Sequence, residues 1–407
     1  MSGLYKNQPF LLVKEFGFID FEQPDHICSW SFQNGVNTQF LRFSIEAATE
    51  ITFQTLRING IDFADYSASV TIIDSNGQKY KPDPKDATDN LVFCAKTRKS
   101  PWVVINLGIG FHLKELSFNL AKEKYLKRKM LGLKVQHSTD YSNWITIHDN
   151  YSIFSKKKFR NLSLEDQVIT ASFCRNHSLL SELLEPNENS ADLQSALKML
   201  NIANQTLSQF EIAYGAHSFT KTFGLLSETE KHFKIGEFAG LLNFFNKTLG
   251  IKAFASSGSL LGIVRDGGLI AHDDDFDLCY LSNETEEHGI LSERTLFIER
   301  LTEAGYEVRK GSDCGHLWCI SPKGIWLDIF TGWIQDDRCI MHPLEKTGVV
   351  QSEVIPLRKS NVFGHDVYVP NSPDSLLVLN YGSDWSTPSP FWKFDWSRVK
   401  SDYSFLY

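Results

Sequence analysis

Two hydrophobic rhythms divide this chain. Up to about residue 150, apolar and polar positions alternate with period two in short runs. These are Phe40-Leu41-Arg42-Phe43-Ser44-Ile45, Ile51-Thr52-Phe53, and residues 68–73, 102–107, 116–120 and 133–138. Turn formers such as Asp74-Ser75-Asn76-Gly77 separate them, as expected of half-buried antiparallel strands. Residues 1–155 therefore read as an antiparallel β-sandwich. Further on the period lengthens. Leu179, Leu180, Leu183 and Leu184, then Leu193, Leu197, Leu200 and Ile202, recur at helical spacing. Residues 186–190 break the two runs, and Ser190 is placed to cap the second. Residues 156–230 read as a helical connector without chemistry of its own. In residues 231–407 helix and strand mix. Phe238, Leu241, Leu242, Phe245 and Leu249 make the buried stripe of a helix over 232–248 that Gly250 closes, and residues 251–255 then read as a strand. The fold class is α+β and multidomain.

The densest chemistry follows that strand. Ser257-Gly258-Ser259 is a small-residue turn, Arg265 comes next, and Asp273, Asp274, Asp275 and Asp277 crowd into five positions. Carboxylates this close disfavour joint ionisation unless a cation neutralises them. Hard divalent ions do so, and Mg²⁺ at phosphate-transfer sites sits on one or two carboxylates plus substrate phosphates. If the segment is a strand, Asp273, Asp275 and Asp277 share one face and Asp274, Phe276 and Leu278 the other. Asp275 and Asp277 are then the leading metal ligands, with Asp273 a third ligand or a group behind them. Ser257, Gly258 and Ser259 are candidates to present N–H groups and hydroxyls to a diphosphate, the alternative being an ordinary tight turn. Arg265 is a candidate phosphate clamp or else one half of a structural ion pair. A solvated acidic loop is the bland alternative for the whole stretch.

Charge and composition narrow the field. The net charge of −8 argues against nucleic-acid binding through a broad basic face. The basic runs at 122–129 and 156–158 read as solvated loops. Residues 1–10 lack the charged start and apolar core of a signal peptide, and no apolar stretch reaches membrane-spanning length. Seven scattered cysteines fit reduced thiols, so the expectation is a cytoplasmic protein, with peripheral attachment to the inner face of a membrane as the variant. Cys314, His316 and Cys319 offer ligand types at a spacing that fits no closed zinc set. The aromatic tail (Tyr381, Trp385, Phe391, Trp392, Phe394, Trp396) reads first as packing, and Asp384 as a turn cap.

The order Ser257-Gly258-Ser259-Leu260-Leu261-Gly262, Arg265, Gly267-Gly268 and the aspartates 273–277 resembles the LicD/fukutin family of phosphotransferases in the nucleotidyltransferase superfamily. Gly324-Ile325-Trp326-Leu327-Asp328-Ile329-Phe330 is similar to that family's later aspartate-bearing strand, and Val369-Pro370-Asn371 through Pro388 to a third motif. His272 and Ala271 depart from the family's usual residues. The resemblance implies a nucleotidyltransferase-like α/β fold over 231–407. It also implies dependence on Mg²⁺, with Mn²⁺ the substitute, and a role for Asp328 in completing the metal site or taking the acceptor's proton. The implied reaction moves a phospho-alcohol (phosphocholine, glycerol phosphate or ribitol phosphate) from a CDP-linked donor to a glycan hydroxyl, releasing CMP, in surface or capsular polysaccharide synthesis. A nucleotidyltransferase releasing pyrophosphate and a non-catalytic glycan-binding scaffold are the alternatives. Residues 1–155, through Pro101-Trp102 and the 138–144 segment ending at Trp144, resemble a discoidin-type jelly roll, which implies glycan binding.

Overall fold

The computed structural model describes residues 28–46, 50–66, 71–75, 77, 79–80, 91–94, 102–120, 132–150, 152–155, 157–184, 190–215, 217–311, 314–396 and 399–407. The sequence readings at 1–10, 122–129 and 186–189 lie outside them. The chain forms two compact units, residues 1–212 and 213–407.

The first unit is β-rich, and the nine strands of its sheet form one hydrogen-bonded network. Two long strands organise it, β1 (Cys28–Glu46) and β3 (Trp102–Leu120). They pair antiparallel, Phe40 opposite Asn106 and Ser44 opposite Trp102. Between them in sequence, β2 (Glu50–Ile58) pairs with the far half of β3, Ile58 opposite Leu116. On its other edge β1 pairs with β4 (Gly132–Ser138), and β4 with β5 (Ile145–Asp149). The period-two pattern is obeyed: Leu41, Phe43 and Ile45 are buried, and Phe43 meets Phe53 and Phe118 edge-on at 5.1 and 5.3 Å. Arg42 turns the other way, bonds Gln136 Oε1 and lies 4.1 Å above the Trp144 ring. Two single-turn helices follow (Ser152–Ser155 and Lys157–Arg160), then three longer ones, α1 (Leu164–Phe173), α2 (His177–Leu184) and α3 (Ser190–Leu207).

The second unit begins with a hairpin, β6 (Ala213–Gly215) and β7 (Ser218–Thr220). Helix α4 (Glu228–Asn243) starts before the position read from its apolar stripe, because Ser227 and Glu230 form a reciprocal capping box. It widens into a π turn and stops at Gly250, which adopts φ 71°. Then come β8 (Ala253–Ala255), α5 (Ser257–Leu261), β9 (Asp277–Ser282), α6 (Glu287–Glu303), β10 (Glu307–Lys310), β11 (Leu317–Ile320), β12 (Trp326–Gln335), β13 (Arg338–Met341) and α7 (Pro373–Tyr381).

The sheet runs β8-β9-β12-β11-β10, with β13 beside the far half of β12. Only β9 and β12 pair in parallel; the other ladders of this sheet among the described residues are antiparallel. A parallel pair needs a crossover, supplied here by α6 with β10 and β11. Every residue of β9 is buried, which explains the apolar run Leu278-Cys279-Tyr280-Leu281. One reading needs correction: the strand begins at Asp277, so residues 273–276 are not extended strand, and Asp274 does not face away from its neighbours as alternation implied.

Candidate acidic metal centre

The centre is built where the two parallel strands begin. Their register sets Asp277, the first residue of β9, opposite Asp328 on β12. The incoming loop is pinned from both sides. Asp328 N donates to Phe276 O at 2.7 Å, Phe223 N to Asp273 O at 2.7 Å, and Gly224 N to Ala271 O at 2.8 Å. Phe276 is buried between Phe223 and Phe238, with ring centres 5.0 and 4.9 Å away. That apolar anchor leaves the flanking Asp275 and Asp277 free to converge. Carboxylate oxygens of Asp275, Asp277 and Asp328 come within 4.8 Å of one another. Asp273, Asp274 and Asp275 form a second such group with His217, at the tip of the β6–β7 hairpin.

Burial and crowding raise Asp273, Asp275 and Asp277 above the usual carboxylate range. Burial, then Asp273 and Asp328, push Asp277 up to about 8. Burial raises Asp273 to about 6, and burial with Asp277 and Asp273 raises Asp275 well above the usual range. His217 Nδ1 lies 3.1 Å from Asp274 and 3.7 Å from Asp275, and its bond to Asp274 raises it to about 10. Three converging, mutually repelling oxygen donors with a fourth carboxylate behind them fit a hard divalent cation.

The small-residue turn is the start of α5, and two of its polar groups are turned onto Asp277. Gly258 N donates to Asp277 Oδ2 at 3.0 Å, and Ser259 Oγ accepts from Asp277 N at 2.9 Å. Ser257 takes φ 44°. Arg265 makes two 2.8 Å bonds to the carboxylate of Asp266.

His217 and Lys234 escaped the sequence reading, and His316 entered it only beside Cys314 and Cys319, as part of a zinc set that does not close. His217 lies in a short hairpin with no period to mark it. His316 Nε2 lies 3.1 Å from Asp328 Oδ2, and Cys314 Sγ is 2.9 Å from its other nitrogen. Burial pulls the His316 imidazole down, but Asp328 and Cys314 outweigh it and raise it to about 9. The signal was a histidine just before β11, whose Trp318 pairs with Asp328. Lys234, on α4, sits 5.5 Å above the Phe223 ring; burial lowers its pKa, while Asp274 and Asp275 oppose that.

The chain can now be set beside known proteins. Residues 250–372 match the family model LicD/FKTN/FKRP, nucleotidyltransferase domain. That span holds both β9 and β12, and so every carboxylate of the centre. A Caenorhabditis elegans protein named "Uncharacterized protein T07A5.1" is 28% identical over 189 residues, 40% of this chain and 44% of that protein. The chain thus spans less than half of that relative's length. The solution structure of the antibiotic-resistance factor ANT(2'')-Ia overlaps 44% of this chain and 84% of its own, at 13% identity and a TM-score of 0.26.

Proposed function

We propose that the second unit is a metal-dependent phosphotransferase that modifies a glycan, taking a phospho-alcohol from a CDP-linked donor such as CDP-choline, CDP-glycerol or CDP-ribitol and releasing CMP. The observation that carries this reading is the parallel register joining Asp277 to Asp328 beside Asp275, inside the span similar to the LicD/FKTN/FKRP domain. Asp275, Asp277 and Asp328 would hold Mg²⁺, with Mn²⁺ as substitute, and Asp273 would support them. The ion supplies neutralisation of charge on the transferred phosphoryl group.

The protein's own groups position and exchange protons. Gly258 N holds the carboxylate of Asp277 and Ser259 Oγ accepts from its backbone N–H, while Ser257 and Arg265 would face the donor diphosphate. Asp328, hydrogen-bonded to His316, takes the proton of the attacking hydroxyl, a contribution of roughly 10²–10⁴-fold in general-base catalysis. An aromatic wall suits a sugar acceptor. Its rings run Tyr381–Trp392 at 4.5 Å, Phe394–Trp396 at 4.8 Å and Trp396–His316 at 6.1 Å, with Trp392 and Trp396 exposed.

For the first unit we propose a discoidin-like, glycan-binding role, supported by the exposed Tyr141 packed edge-on against Trp144 at the β4–β5 turn.

 The Tyr141 and Trp144 rings lie 5.6 Å apart there. No helix among the described residues is long and apolar enough to cross a membrane; a cytoplasmic enzyme, peripheral to membrane-bound polysaccharide machinery, is the setting we propose.

The test incubates the purified protein with Mg²⁺, a glycan acceptor and each CDP-alcohol, or with nucleoside triphosphates. CMP release that requires the metal supports phospho-alcohol transfer. Pyrophosphate release instead supports nucleotidyl transfer, and no release of either with any donor refutes both.

A further inference from the structure

Two histidines that the acidic centre does not use meet at the surface of the second unit. His232 lies one turn into α4. His365 opens β15 (His365–Val369), which pairs antiparallel with β14 (Arg358–Val362) across the two-residue turn Phe363-Gly364. His232 Nδ1 and His365 Nε2 are 3.4 Å apart, with ring centres separated by 4.4 Å and planes inclined at 61°. His232 is exposed and His365 half-buried, so solvent reaches the pair. Gly236, one helical turn beyond His232, is what admits the second ring. A Cβ there would stand 3.1 Å from His365 Cε1 and 3.2 Å from Nε2. Glycine inside a helix is destabilising, and here the bare backbone is the floor under an imidazole.

The spacing separates two readings. A hydrogen bond from one ring to the other would normally hold its heavy atoms about 2.7–3.2 Å apart, and this pair is wider. Two nitrogens on a tetrahedral zinc ion, each about 2.0–2.1 Å from the metal, lie roughly 3.3–3.4 Å from one another. The observed 3.4 Å matches the second arrangement. Imidazole nitrogens suit borderline ions such as Zn²⁺, whereas Mg²⁺ takes oxygen. Among the described residues no third histidine, cysteine or carboxylate completes a ligand group with these two. Water therefore fills the remaining positions, as it does in open zinc sites.

We propose that His232 and His365 form a two-histidine surface site for a borderline divalent ion of the Zn²⁺ class, sharing no ligand with the acidic centre. Bound there, the ion ties α4 to the β14–β15 hairpin. The Phe363 ring at the tip of that hairpin packs 3.4 Å from where a Cβ of Gly268 would stand, in the stretch between Arg265 and the aspartates. The inference rests on the two imidazoles and stands whether or not the acidic centre transfers phosphate.

Zinc titration of the full chain tests it by NMR, with ¹³C-labelled histidine and excess Mg²⁺ to occupy the acidic centre. His232→Gln and His365→Gln assign the two ring signals, each by the peak it removes. In the unaltered protein both signals are expected to move together over the same zinc range. In the His365→Gln protein the His232 signal should need more than roughly tenfold more zinc, since losing even a supporting group of a metal site costs about 10–100-fold. Gly236→Ala keeps both imidazoles and should also weaken zinc binding, because the added methyl displaces the His365 ring while the helix itself gains from alanine. Circular dichroism checks that each variant is folded, and Gly236→Ala serves if a histidine variant does not fold. Zinc that shifts neither signal, shifts them over different ranges, or binds any folded variant as tightly as the unaltered protein would overturn the proposal.

Discussion

Gly258 is the residue at which the acidic centre has least room. A Cβ built there would stand 2.5 Å from Asp273 Oδ2 and 3.3 Å from Asp277 Oδ2. Gly258→Ala is therefore expected to drive Asp273 from its place and weaken Mg²⁺ binding about tenfold or more, about 1.4 kcal/mol, measured by titration calorimetry. Wild-type affinity would show that the carboxylates relax freely. Asp275→Asn and Asp277→Asn keep the shape and remove charge. Each is expected to abolish turnover while leaving the circular dichroism spectrum unchanged, and near-normal activity in either would remove it from the metal set. Asp328→Ala separates two roles: lost turnover with retained donor binding in Mg²⁺ identifies a proton acceptor, whereas loss of both identifies a ligand.

At the scale of elements, the loop before β9 is held by one apolar side chain among four carboxylates. Phe276, packed between Phe223 and Phe238, is what commits the flanking aspartates to one place. Phe276→Ala should cost roughly 3–5 kcal/mol in chemical denaturation, as large buried aromatics do. It should also abolish turnover, since the loop that carries Asp273 to Asp275 loses its anchor. A loss below about 1 kcal/mol would mean that the backbone bonds from residues 223, 224 and 328 suffice. The same loop shows why alternation misled: β-pattern reading assumes an extended backbone, but pairing with β12 starts only at Asp277, so Asp274 is free to join Asp273 and Asp275 around His217. The α4 start was legible in Ser227 and Glu230, a capping signature that precedes the apolar stripe and is invisible to a search for period alone.

For the whole molecule, the crowded carboxyls make stability depend on pH and metal together. Asp277 and Asp273, raised to about 8 and about 6, keep protons in the folded state that the unfolded chain has already released. Their contribution is present at low pH and is lost as pH rises through those values. His217, raised to about 10, contributes fully below its unfolded value and is lost as pH climbs through 10, the same direction. The metal-free protein should thus melt at lower temperature at about pH 8 than at about pH 5, and Mg²⁺ should narrow that gap by replacing the protons. A melting temperature that rises over this interval without metal would contradict the protonated cluster.

The sequence alone determined a β-rich first part, helical runs around 179–184, 193–202 and 232–248, and the candidate aspartates, because period and local charge density are properties of neighbours along the chain. It carried the likeness to the LicD/fukutin family for the same reason: the motif is contiguous. Tertiary structure alone decided that Asp328 meets Asp277, since a parallel register across a helical crossover is written in no local spacing. It also decided that Gly258 and Ser259 spend their polar groups on Asp277, that Arg265 is engaged by Asp266, and that His217 and His316 reach the carboxylates from separate hairpins. Each of these is a contact between distant segments, fixed by sheet pairing and burial, and so lies beyond what period or motif can encode.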